Sequence, residues 1–435
     1  MCLVKSTAYY YHVHITNMKV VKIVAAFVLF LSVLSVWFPA GAHALDPTSD
    51  APALNARSAI LMDAVSGMTL FAKNADEAIP PASLTKLMTI YVAMREASLR
   101  GISLDSPVKL PPESWAKNQP PRSSLMFLAQ GQIVSLRELF LGLAIPSGND
   151  AAVAVALNFS PSIDDFAALM NREALKIGLR STNFVEPSGI SEINTTTARE
   201  FAIFCKQYIK DYPQNLQDFH SVREFAYPKP ENLTAPMRSK PGTIVQSNHI
   251  GLLDKFEGVD GLKTGYIDEA GYNLAITSEQ NGTRFVSVIM GVPASLGTRW
   301  GPRARDADGR ALLEWAFKNY KTIKPEIPDL PRAVVWKGKK SRVDVVIKND
   351  YGTDPLDSFT IMADRGTGAY RWEFSIKNLV APFDKGKFAG TLTLFDDQGE
   401  LETVSLVTTD EVERANFFVR AVHSILMFFM GTSKY

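Results

Sequence analysis

The sequence predicts an α+β fold, an antiparallel sheet with an inserted helical body, followed by a small all-β module and a C-terminal amphipathic helix. Three observations predict it. Strand-like segments open and close the first 320 residues with helical periodicity between them, alternating segments with polar turns follow a proline-rich break after Tyr320, and Glu411 to Met430 gathers its apolar side chains near one helical side. The chain has 435 residues, 46% apolar and 21% charged, an ordinary globular composition with room for two or three domains. Its 46 basic and 45 acidic side chains leave a formal net charge of +1, so no global field points to nucleic acid.

Residues 1–44 read as a secretory signal. Lys19 and Lys22 precede the apolar run Ile23 to Phe38, Pro39 breaks any helix, and Ala42-His43-Ala44 supplies small residues for cleavage after Ala44. Met18 is an alternative start to Met1, and an uncleaved membrane anchor is the alternative to a signal; both readings export the bulk of the chain. Cys2 lies in this leader, so the remaining Cys205 has no internal disulfide partner. Its apolar setting, Phe201 to Cys205, predicts a buried inert thiol.

The catalytic region is expected over 45–322. Ser58 to Asp63 and Met68 to Ala72 flank Val65-Ser66-Gly67 as one hairpin. Tyr272 to Thr277 and Arg284 to Ile289 flank Asn281-Gly282 as a second. Between them Leu84 to Ala97, Leu136 to Ala144, Ala151 to Leu157 and Ile163 to Leu179 repeat apolar residues near period 3.6, and Arg310 to Phe317 reads as a closing helix. Residues 323–410 form the β module, with strands at Arg332 to Trp336, Val343 to Lys348, Ser358 to Met362, Arg371 to Ile376, Gly390 to Phe395 and Thr403 to Thr408. Residues 411–435 read as a membrane-surface helix carrying Phe417, Phe418, Val422, Ile425, Leu426, Phe429 and Met430; a helix docked on the β module is the alternative. The uninterrupted apolar run is too short to span a bilayer.

Three motifs carry the chemistry. In Ser83-Leu84-Thr85-Lys86, a serine and a lysine three apart share one helical face. A serine hydroxyl needs a base within hydrogen-bond reach, and Lys86 serves if burial and a second cation, Lys263, lower its pKa. Ser147-Gly148-Asn149 follows a helix-ending proline, so a hydroxyl and a carboxamide enter a cleft together: Ser147 relays the proton to a leaving amine, and Asn149 holds the substrate amide and Lys86. Lys263-Thr264-Gly265 lies on a strand whose edge can pair with a ligand backbone, Lys263 and Thr264 offering a cation and a hydroxyl to a carboxylate while Gly265 permits close approach. The backbone N–H groups of Ser83 and Tyr266 are the candidate oxyanion hole. Taken singly, these segments read as a helix cap, a loop turn and an edge strand; their joint occurrence in this order specifies acyl transfer through a serine ester.

On these motifs the chain resembles the low-molecular-mass penicillin-binding proteins, specifically the exported D-alanyl-D-alanine carboxypeptidases. The resemblance runs over roughly residues 50 to 420 and includes Phe184 to Gly189, Asn194 to Ala198, Ala270 to Leu274 and Leu379 to Pro382. It implies a DD-peptidase or β-lactamase-like sheet, a β-sandwich domain and a C-terminal amphipathic anchor at the outer face of the cytoplasmic membrane. It also implies release of the terminal D-alanine from peptidoglycan stem peptides ending in D-Ala-D-Ala, and acylation by β-lactam antibiotics. Arg305 resembles the arginine that helps hold the substrate carboxylate, its alternative being a solvated helix-start charge. Glu186, Ser188 and Tyr266 depart from the family pattern, where asparagine or aspartate, histidine, and in some relatives histidine are found. No cofactor or metal is expected: the six histidines offer a ligand-spaced pair only at His12-Val13-His14 in the leader. A β-lactamase remains as an alternative with Glu186 its one candidate deacylating base, and so does a penicillin-binding scaffold of low turnover that shapes the wall.

Overall fold

The protein is described by a computed structural model over residues 51–234, 242–348, 358–363 and 368–429. The leader expected over 1–44 and Met430 of the terminal helix lie outside these residues.

Strands β1 (Ser58–Asp63) and β2 (Thr69–Lys73) make the opening hairpin. The helical body follows: α1 (Thr85–Arg100), α2 (Leu136–Ala144), α3 (Asn149–Phe159), α4 (Ile163–Ile177) and α5 (Ala198–Asp211). Then come β3 (Val259–Ile267), β4 (Gly271–Gln280), β5 (Thr283–Val292) and the long helix α6 (Gly297–Asn319). The sheet order is β2-β1-β5-β4-β3, every neighbouring pair antiparallel, which leaves β3 with its Lys263-Thr264-Gly265 at an edge. β1 is buried at every residue because it is flanked by β2 and β5.

Local chemistry sets the boundaries. Ser135 and Glu138 form a reciprocal capping box at the start of α2, and Ser162 and Thr197 cap α4 and α5 through backbone N–H groups three residues on. Gly101 and Gly178 close α1 and α4 in the left-handed conformation. At the β4–β5 turn both Asn281 and Gly282 have positive φ, as a two-residue turn between twisted strands demands. Around α1 and α5, Tyr91 meets Phe204 and Tyr212 edge-to-face at 5.7 and 5.6 Å. Cys205 lies buried and free on α5, its thiol pushed above the usual range by burial.

Helix α6 differs from expectation by starting at Gly297 rather than Arg310. Gly301, Pro302 and Gly309 weaken its helical pattern in sequence, yet packing selects the glycines. A Cβ on Gly301 would lie 1.9 Å from the Tyr272 ring and one on Gly309 2.8 Å from Leu274, so these glycines let the helix lie close against β4.

Beyond α6, β6 (Tyr320–Ile323) pairs with β9 (Phe359–Met362), and residues 324–332 are irregular. The module between and after them contains β7 (Ala333–Trp336), β8 (Val345–Ile347), β10 (Arg371–Ile376), β11 (Leu379–Val380), β12 (Phe388–Asp396) and β13 (Gly399–Thr408). A four-stranded sheet β8-β13-β12-β10 and a three-stranded sheet of Arg342–Val343, β7 and β11 enclose a core that includes Val335, Val343, Ile347, Leu392 and Leu406. The module is tied to the large sheet by Ser66 Oγ and Thr360 Oγ1, 2.8 Å apart, by Thr322 N–H donating to Thr283 Oγ1 at 3.0 Å, and by Thr322 Oγ1 donating to Asp63.

Helix α7 (Phe417–Phe429) has no buried residue, and Phe418 and Phe428 are 80% and 82% exposed. It touches the module through His423, whose Nδ1 accepts the Lys337 N–H at 2.7 Å and whose ring meets Trp336 edge-on at 5.3 Å. Among the described residues no helix is long and apolar enough to cross a membrane.

Candidate active site

Pro80-Pro81 leads into a 3₁₀ turn, Ala82–Leu84, that runs directly into α1. Ala82 adopts positive φ, and its neighbours hold it there. A Cβ on Gly189 would lie 1.8 Å from the Ala82 carbonyl, and one on Gly265 would lie 2.9 Å from the Pro81 carbonyl and 3.0 Å from Ser83 N. Two glycines therefore let the 186–194 loop and β3 close on the turn carrying Ser83. Close approach at Gly265 thus serves the backbone of Ser83 itself.

Lys86, one turn into the same element, is fully buried. Its Nζ is 2.9 Å from Ser83 Oγ, 2.8 Å from Asn149 Oδ1 and 2.5 Å from the Ser188 carbonyl oxygen. An ammonium has three donors, and these three partners use them all. Two of them, the carboxamide oxygen and the backbone carbonyl, can only accept. When Lys86 is neutral its two N–H bonds remain on those acceptors, and its lone pair is left facing the Ser83 hydroxyl. Burial is the main cause that pushes the Lys86 pKa down to about 7; the carboxylates of Glu186 and Asp150 oppose it. The sequence reading gave Lys263 a share in lowering Lys86; here the repulsion is carried on Lys263, held well below the usual lysine range first by burial, then by Lys86 and Arg305.

Ser147 and Asn149 enter the same place from the α2–α3 connection. Ser147 has positive φ and a buried Oγ with no hydrogen-bond partner among the described residues. Next to it Gly148 is required, since a Cβ would lie 2.7 Å from Asp150 Oδ1. Asp150 was not singled out from sequence, where it reads as an ordinary acid at a helix N-terminus. It is buried and accepts the Met126, Leu128 and Ala151 N–H groups at 2.8, 3.0 and 2.9 Å, fixing the segment before α2 against the start of α3.

The opposite wall is β3. Lys263 and Thr264 are buried, and Lys263 Nζ donates to the Thr264 carbonyl at 3.0 Å. Tyr266 is more open, its ring 4.3 Å from Tyr272 and its hydroxyl 2.5 Å from Asp268 Oδ1, a contact that pushes the phenol up to about 12. Arg305 is only 5% exposed and sits in the ninth position of α6, so it is no solvated helix-start charge. Its guanidinium donates to Asp306 Oδ1 at 2.7 Å and to the His249 carbonyl at 3.2 Å. His249 was missed by sequence reading; burial and then Lys263, Arg305 and Lys86 hold its imidazole down at about 4. The cleft therefore combines a serine on a buried lysine with a wall that carries the buried basic groups Lys263 and Arg305, an arrangement suited to acyl transfer from a substrate ending in a carboxylate.

Comparison with known proteins agrees. Residues 46–294 match the D-alanyl-D-alanine carboxypeptidase family profile, and residues 330–414 match that of the penicillin-binding protein 5 C-terminal domain. The D-alanyl-D-alanine carboxypeptidase DacC of Escherichia coli is 33% identical over 398 residues, 90% of this chain and 93% of that protein. DacA of Haemophilus influenzae is 33% identical over 379 residues, 84% of this chain and 88% of that one. The crystal structure of penicillin binding protein 5 from Haemophilus influenzae superposes with a TM-score of 0.67 at 32% identity, covering 83% of this chain and 99% of its own. The chain belongs to the D-alanyl-D-alanine carboxypeptidases, serine-type peptidases among the low-molecular-mass penicillin-binding proteins.

Proposed function

We propose that Ser83 is the nucleophile, Lys86 its base and Ser147 the proton relay in removal of the terminal D-alanine from peptidoglycan stem peptides. The observation that carries this is the hydrogen-bond set of Lys86, which leaves the neutral amine only Ser83 to accept from. Ser83 Oγ adds to the carbonyl of the penultimate D-alanine as its proton passes to Lys86. Oxyanion charge falls to the backbone N–H groups of Ser83 and Tyr266, and Asn149 supports the substrate amide. Lys263, Thr264 and Arg305 hold the terminal carboxylate. The C–N bond breaks as a proton passes through Ser147 to the leaving amine, releasing D-alanine and a Ser83 ester. Water then adds to the ester, and the proton it loses restores the Ser83 hydroxyl.

A penicillin would follow the same first step, its leaving nitrogen remaining tethered and slowing release. The lactamase alternative needs a free glutamate over the ester, whereas both Glu186 oxygens are taken up by its own loop, at 2.6 Å to Gly189 N–H and 2.7 Å to Ser188 N–H. The proposed division of the chain is a leader over 1–44, the peptidase domain over 45–322, the β domain over 323–410 and an anchor over 411–435. Export through the leader would bring the enzyme to the periplasmic face of the cytoplasmic membrane, and the exposed phenylalanines of α7 would hold it on the lipid surface.

Intact-mass measurement of wild type and Ser83→Ala with a labelled penicillin and with a diacyl-D-alanyl-D-alanine peptide tests the chemistry. The expected result is a covalent adduct and D-alanine release with wild type and neither with the variant. A wild type without an adduct would sink the serine mechanism, an adduct without D-alanine release would favour the scaffold, and rapid penicillin turnover would favour the lactamase. Truncation before Glu411 should move the protein from the membrane to the soluble fraction, and unchanged retention would refute the anchor.

A further inference from the structure

We propose that Glu186 is a positioning residue for the base: by gathering the backbone of the 186–194 loop, it holds the Ser188 carbonyl on Lys86 and so aims the lysine at Ser83. The inference rests on Lys86 acting as the base.

The geometry is specific. Glu186 Oε2 accepts the Ser188 N–H at 2.7 Å and the Ser188 hydroxyl at 2.6 Å. Oε1 accepts the Gly189 N–H at 2.6 Å, the Asn194 side-chain N–H at 2.9 Å and the Ser191 N–H at 3.4 Å. One carboxylate thus replaces the hydrogen bonds that five donors would otherwise seek in water. The Ser188 carbonyl and the Gly189 N–H belong to one peptide and point opposite ways, so with that N–H on Glu186 the carbonyl oxygen faces α1, 2.5 Å from Lys86 Nζ. The preceding peptide is fixed likewise, since Thr89 Oγ1 donates to the Pro187 carbonyl at 2.6 Å. Asn194 also reaches Thr85 Oγ1 at 3.3 Å, so the loop sits on the first turn of α1 from both of its ends.

The carboxylate contributes charge as well as shape. The ionisable groups facing Lys86 are Asp150 from α3, Glu186 from the loop, Lys263 from β3 and His249 from the segment before β3, and Arg305 from α6 acts in turn on Lys263 and His249. Burial disfavours the ammonium; Glu186 and Asp150 favour it. Glu186 thereby offsets part of the burial and keeps the lysine titrating near neutrality. A glutamate reaches both oxygens across three backbone N–H groups, which a shorter aspartate would do with the loop drawn inward, and a glutamine would set an N–H₂ group against N–H donors.

The test is the pH profile of Ser83 acylation by a labelled penicillin in the full chain, comparing wild type, Glu186→Gln and Glu186→Asp. For Glu186→Gln the acid limb should move to lower pH by on the order of one unit. Its plateau rate should also fall by roughly tenfold or more, because the lysine is less well aimed. Glu186→Asp should keep the wild-type limb while losing plateau rate. A Glu186→Gln profile that coincides with wild type, or one with a lowered plateau and an unmoved limb, would overturn the proposal, the latter by reducing Glu186 to a structural part of the loop. If Glu186→Gln does not fold, Glu186→Asp decides: a lowered plateau on an unmoved limb supports the proposal, and a wild-type plateau overturns it. Absence of any adduct on wild type would instead remove the reading of Lys86 on which the inference stands.

Discussion

Acylation of Ser83 should titrate with Lys86. Burial has moved this amine from a usual value of 10.5 to about 7. Each pKa unit corresponds to about 1.4 kcal/mol, so the folded protein disfavours the ammonium by roughly 5 kcal/mol relative to solvent. A group titrating at that pH is about half neutral at pH 7, about nine-tenths neutral at pH 8 and about one-hundredth neutral at pH 5. The rate of penicillin acylation, followed by stopped-flow fluorescence or quenched intact-mass measurement, should therefore fall roughly fiftyfold between pH 7 and pH 5 and level off above pH 8. An unperturbed lysine behaves differently: the rate would climb about tenfold per unit through pH 9 with no plateau. That second profile would refute the assignment of a neutral Lys86 and with it the argument from its three hydrogen-bond partners.

The same shift has a stability consequence. Below about pH 7 both folded and unfolded chains carry the Lys86 proton; between about pH 7 and 10.5 only the unfolded chain does, so wild-type stability gains about 1.4 kcal/mol per unit across that window. Lys86→Met should lose this slope, and parallel urea-unfolding curves for the two proteins from pH 7 to pH 10 would contradict it. Gly265→Ala places a methyl group 2.9 Å from the Pro81 carbonyl and 3.0 Å from Ser83 N; acylation should drop about a hundredfold with cooperative unfolding retained, and a wild-type rate would show that the turn can yield. His423→Ala removes the acceptor of the Lys337 N–H and the ring against Trp336, so α7 should be cleaved faster by protease while Ser83 acylation is unchanged. Unchanged protection would mean that other contacts hold the helix.

What could be read from sequence was what depends on side-chain identity at short range. Asn281-Gly282 marks its hairpin because both positions need positive φ, and Leu136–Ala144 is legible from its apolar period, to which the structure adds the reciprocal Ser135–Glu138 cap. The three motifs likewise announce Ser83, Lys86, Ser147, Asn149, Lys263 and Thr264, which the fold brings to one cleft. The first half of α6 was illegible for the opposite reason. Gly301 and Gly309 weaken a helix locally and are retained because Tyr272 and Leu274 of a strand distant in sequence pack where their side chains would be.

The environment of Lys86, the proposed base, was also beyond motif reading, and this follows from what holds it. Two of its three partners are visible as side chains, Ser83 and Asn149, but the third is a peptide carbonyl at Ser188, an atom that every residue possesses. Whether that carbonyl faces the lysine depends on where the Gly189 N–H of the same peptide goes, and it goes to Glu186. Sequence reading could see Glu186 only as a departure from the family pattern and as a possible deacylating base. With both oxygens filled by loop donors it is poorly placed to activate water, and its charge instead reaches the active-site lysine. The departure therefore bears on acylation, through the aim and protonation of Lys86, before it bears on the fate of the ester.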